Sequence, residues 1–74
     1  MEIKRLETVN NRENNPEVFC EVIFTSETYG KFNYGHWLTP GEYATYVADN
    51  DSINTIMAGY QVTAELLKAQ EMAG

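Results

Sequence analysis

Glu17-Val18-Phe19-Cys20-Glu21-Val22-Ile23-Phe24-Thr25 is the stretch on which the fold turns. Its β-branched and aromatic residues suit a pleated strand. Alternation puts Val18, Cys20, Val22 and Phe24 on one face and Phe19, Glu21, Ile23 and Thr25 on the other. Downstream, Ser26-Glu27-Thr28-Tyr29-Gly30 has hairpin chemistry, because Gly30 is free to take positive φ. The next strand, Lys31 to Leu38, then carries Phe32, Tyr34, His36 and Leu38 on one side and Asn33, Gly35 and Trp37 on the other. Upstream, Glu2 to Val9 mixes Ile3, Leu6 and Val9 with charges and reads as an edge strand, while Asn10 to Pro16 reads as a loop.

At Thr39-Pro40-Gly41-Glu42 the period changes. Thr39 suits an N-cap, Pro40 the first helical position and Glu42 the closing residue of a capping box, which predicts a short helix over residues 40–48. Asp49-Asn50-Asp51-Ser52 ends it, and Asp51 or Ser52 is placed to cap a second helix over residues 52–72. There Ile53, Ile56, Met57, Tyr60, Ala64 and Leu67 fall on one face, leaving Asn54, Thr55, Gln61, Glu65 and Lys68 outside. Such a helix is about 30 Å long. Its end from Ala69 carries little apolar surface beyond Met72, so the last turns are expected to fray or to be held from outside. The expected architecture is α+β: a three-stranded antiparallel sheet over residues 2–9, 17–25 and 31–38, with a short and a long helix packed on one face.

A chain of 74 residues has room for one domain and one small core. Natural proteins of this size are often supported by disulfides, a metal or self-association. The single cysteine, Cys20, permits no internal disulfide, and no paired Cys/His spacing suggests zinc, so no metal or cofactor is expected. Cys20 itself reads as a small buried hydrophobe, and the chain as one made in a reducing cytoplasm. No apolar run approaches a membrane span, and Met1 to Arg5 leads into no signal-like segment. Eleven acidic residues against five scattered Lys/Arg give a net charge of −6, which argues against direct nucleic-acid binding.

Catalytic constellations are equally thin. His36 is the only histidine and stands among aromatics, the setting of a hydrogen-bonded packing residue. Asp49 and Asp51 resemble the start of a calcium loop, but that loop needs glycine at its sixth position and glutamate at its twelfth, where Asn54 and Tyr60 stand. Gly30, Gly35 and Gly41 are too dispersed to cradle a phosphate. No enzyme activity and no small-molecule substrate are expected.

The distinctive feature is the run of aromatics from Phe19 to Trp37. If Val18, Val22, Phe24, Phe32 and Leu38 pack under the helices, then Phe19, Ile23 and Trp37 point away from them, where two helices cannot reach. An exposed aromatic patch marks a protein interface, so Phe19, Ile23, Tyr29 and Trp37 are the candidate partner-binding residues, for a protein partner or a second copy.

Val22-Ile23-Phe24-Thr25, Tyr29-Gly30-Lys31-Phe32 and Trp37-Leu38-Thr39-Pro40-Gly41-Glu42-Tyr43 together resemble small proteins encoded in the structural gene clusters of tailed bacteriophages. The resemblance covers about the middle third of the chain and transfers no functional residue. It implies a virion or assembly component of the tail, baseplate or connector region, acting in copies around a ring or collar. It would be synthesised in the host cytoplasm and carried in the virion. The competing expectation is an acidic inhibitor whose carboxylates imitate a phosphate backbone and block a cationic groove of a host nucleic-acid-binding or defence complex.

Overall fold

The computed structural model describes residues 1–12 and 15–73 of the chain. Three antiparallel strands, β1 (Glu2–Arg12), β2 (Asn15–Ser26) and β3 (Gly30–Trp37), form a sheet in the order β1-β2-β3. Three helices follow: α1 (Pro40–Ala48), α2 (Ser52–Ala58) and α3 (Gln61–Ala73). This is the expected α+β arrangement.

The alternation in β2 decides what is inside. Val18, Cys20, Val22 and Phe24 are buried, and the last three form one cluster with Ile53, Met57 and Ala64 of the helices, with Leu6, Phe32 and Tyr34 packed around it. The β2–β3 connection is a three-residue turn closed by Gly30 at φ 71°, a conformation that side-chain-bearing residues adopt at a cost. Ser26, which is buried, holds the turn: its Oγ accepts from the N–H groups of Thr28 (3.1 Å) and Tyr29 (3.2 Å) and donates to Glu65 Oε1 at 3.2 Å.

Four expectations need correction. The segment read as a loop over residues 10–16 is largely strand: Arg12 pairs with Asn15, so the two strands run on to Arg12 and from Asn15, and residues 13–14 lie outside the described residues. Ladder pairing overrides local propensity there.

The long helix is two helices. Gly59 and Tyr60 interrupt it, with the Tyr60 N–H bonding back only three residues, to Met57 at 3.0 Å. Glycine is the weakest helix former after proline, and the Tyr60 side chain is held elsewhere, as described below.

After that interruption α3 is turned from its expected phase. Gln61 and Glu65, placed outside by periodicity, bond the end of β2: Gln61 Nε2 donates to the Thr25 carbonyl at 3.2 Å, and Glu65 receives Ser26. Leu67, placed inside, is about half exposed.

The second cap also differs. Asp51 occupies the N-cap of α2 without a side-chain bond to the helix, and the Oδ1 of Asp49 accepts the Asp51 N–H instead, at 3.1 Å. The Ser52 Oγ is enclosed with no partner among the described residues.

Candidate interaction surface and the joint behind it

The face of the sheet away from the helices carries Phe19, Ile23 and Trp37 together, as alternation requires. Phe19 and Trp37 are cross-strand neighbours with ring centroids 5.0 Å apart and planes tilted by 56°. The Arg5 guanidinium lies 5.1 Å from the Phe19 ring centre and within 3.6 Å of Glu7 and 3.9 Å of Glu21.

Beneath the Phe19 ring is Gly35. A Cβ built there would come 2.5 Å from the Phe19 Cζ, so the bare glycine is what lets the ring lie flat over β3. Phe19 is thereby half-buried, whereas Trp37 at the margin remains 49% exposed. Ile23 is half-buried and stands farther along β2, opposite Glu2 and Asn33 and beyond the Glu21–Gly35 row. Tyr29 does not join them. Its ring meets Phe32 edge-on at 6.5 Å, and it faces Val62 and Leu66 of α3 across a groove on the helix side.

That groove belongs to a second apolar surface. Val62 (72% exposed), Leu66 (60% exposed) and Ala69 recur four and three residues apart along α3. Val62 and Leu66 stand two residues either side of the buried Ala64 and so face away from the core; only the four- and three-residue spacing signalled the stripe in the sequence.

The sheet's other face holds a polar joint that sequence reasoning found only in part. Thr39 and Glu42 form the expected capping box at α1: Thr39 Oγ1 accepts the Glu42 N–H at 3.2 Å, and Glu42 Oε1 accepts the Thr39 N–H at 2.9 Å. The same carboxylate also receives His36 Nε2 at 2.8 Å and, on Oε2, the Tyr60 hydroxyl at 2.5 Å. The Tyr60 ring lies 4.0 Å from that of His36 and stacks on Tyr34 at 6.2 Å. One side chain thus ties β3, α1 and the α2–α3 junction.

Partial burial pushes the Glu42 carboxyl up, but the bonds from Tyr60, the Thr39 N–H and His36, with the histidine's charge, outweigh it and hold it at about 2. The bond to Glu42, then burial and the neighbouring charge, push the Tyr60 phenol up to about 12. Across neutral pH the carboxylate is thereby held ionised and the phenol protonated, the forms that make the bond between them. Burial likewise pushes the Cys20 thiol up, away from the reactive thiolate.

Among the described residues, no three His, Cys, Asp or Glu side chains group to hold a metal ion. No described helix is long and apolar enough to cross a membrane. Comparison with protein-family models, curated proteins and solved structures finds no match.

Proposed function

We propose that the chain is a non-catalytic protein–protein interaction module, working as a structural or assembly subunit of a tailed-phage virion in the tail, baseplate or connector region. The observation that carries the interaction reading is the half-exposed Trp37, its ring tilted against Phe19 and continuous with it on the sheet face away from the described helices. Tryptophan anchors protein interfaces more often than its abundance warrants, and a core this small commonly gains support from association. The apolar stripe of α3 provides a second contact surface on another side of the protomer. Two unlike sticky surfaces suit head-to-tail association, which closes into rings when the rotation allows. The virion assignment is supported by the resemblance alone.

Trp37 is the only tryptophan, so its fluorescence reports on this face without labelling. On assembly its emission is expected to shift to the blue and to lose accessibility to acrylamide, with little change between low and high salt. Emission that stays solvent-like in every complex recovered would refute docking through this face. A complex that dissolves steeply with salt would favour the acidic-inhibitor alternative, because exposed charge pairs are screened.

A further inference from the structure

The two outer strands of the sheet are not equivalent. The pairing of β1 with β2 is irregular between Ile3 and Arg5 and again between Val9 and Arg12. Such irregularities, with charged side chains, blunt a sheet edge against further pairing. By contrast, β3 pairs with β2 without a shift from Gly30 to Trp37, leaving a regular eight-residue edge.

Which groups that edge presents follows from one bond. The Leu38 N–H donates to the Val18 carbonyl at 2.9 Å, in line with the Phe19–Trp37 and Cys20–His36 pairs. In an antiparallel ladder bonded and non-bonded pairs alternate. The even-numbered residues of β3 are therefore bonded to β2, and the N–H and C=O groups of Lys31, Asn33, Gly35 and Trp37 point to the open side. All four residues are exposed, and among the described residues no side chain or loop bonds their main chain. Alongside runs a groove walled by Phe32 and Tyr34 of β3 and by Ala64, Leu67 and Lys68 of α3.

We infer that the free edge of β3 takes the β3 of a second copy of this chain, antiparallel and about a two-fold axis at Tyr34, making a continuous six-stranded sheet. The strand is complementary to itself in that register. Lys31 pairs with Trp37 of the partner subunit, and Asn33 with Gly35 of the partner subunit, so every open N–H and C=O of the four residues finds a mate. The outer face then reads Glu7, Phe19, Trp37 and Lys31 of the partner subunit across successive strands, and the Lys31 ammonium of the partner subunit beside Trp37 adds a second cation-over-ring contact to the one the Arg5 guanidinium already makes with Phe19. The half-exposed Leu67 flank of each α3 comes to border the new seam. The inference rests on the reading of the chain as an associating module and adds where a second copy attaches.

Amide hydrogen exchange on the whole chain, at concentrations spanning the association, tests it without any variant. The amides of Lys31, Asn33, Gly35 and Trp37 are expected to exchange freely in the monomer and to gain protection together as the dimer forms. Asn33→Pro removes one open N–H but no bond to β2, a substitution an edge strand tolerates; a variant with wild-type circular dichroism should lose the dimer. An oligomer in which those four amides still exchange freely, or in which a folded Asn33→Pro chain still dimerises, overturns the edge pairing while leaving the sheet-face interaction standing. A chain that stays monomeric at every concentration, alone and with other virion proteins, overturns both.

Discussion

Replacing Glu42 with alanine removes four functions at once: the return bond of the α1 capping box, the acceptor for His36, the acceptor for the Tyr60 hydroxyl, and the only charge among them on the acidic side. Two routes give its size. A capping bond is worth about 1 kcal/mol, and stranding a part-buried hydroxyl donor costs about 1–3 kcal/mol, giving roughly 2–4 kcal/mol. Read through the same bonds' effect on the carboxyl, held at about 2 in the folded chain against 4.5 when free, the figure is ~3 kcal/mol at neutral pH, an upper value because its side chain is 20% exposed. The routes agree. At about 4–8 °C per kcal/mol for a domain of this size, Glu42→Ala should melt roughly 10–30 °C below the wild type at pH 7 by circular dichroism. The sign of the pH dependence follows from the lowered pKa: the stabilisation is complete above 4.5 and disappears as pH falls through 4.5 towards 2. The melting difference should therefore close over that window, and Glu42→Gln should lack the wild-type acid limb. A Glu42→Ala chain melting within about 2 °C of wild type at pH 7, where so large a loss predicts several times that, would refute the joint.

Three further outcomes follow from the same structure. Tyr60→Phe should cost about 1–2 kcal/mol in urea unfolding; because the phenol is pushed up to about 12 from 10, the wild-type advantage holds below pH 10 and is lost as pH rises through 12. Ser52→Ala removes an enclosed hydroxyl that has no partner among the described residues, so it should be neutral or stabilise by up to about 1 kcal/mol, read as a raised urea midpoint. Gly35→Ala forces the Phe19 ring off β3 and should destabilise by about 1–3 kcal/mol, with a changed Trp37 emission as the sign that the ring has moved.

The parts of the fold legible in sequence are those decided by near neighbours. Period-two alternation in β2 names both faces of the sheet, and Thr39, Pro40 and Glu42 specify the start of α1 within four residues. Tertiary bonds decide the rest. Glu42 reads as a capping residue and nothing more, because its tie to Tyr60 spans 18 positions. Ala64 is buried as periodicity expects, so a hydrophobic count passes over the interruption at Gly59 and Tyr60; the bonds of Gln61 and Glu65 to the end of β2 decide which flank of Ala64 turns inward with it. Of the candidate surface, Phe19, Ile23 and Trp37 follow from alternation alone. Tyr29 sits in a turn, where alternation no longer assigns a face, and it lies on the helix side against Phe32.

The exposed apolar faces give association its most direct test in sedimentation velocity, run over a concentration series at low and high salt with the whole chain. Docking through Trp37 and its neighbours predicts species heavier than the 8.4 kDa protomer, or a stable complex with a virion protein, at both salt concentrations. A well-folded protomer that sediments alone throughout, with and without those proteins, would contradict it.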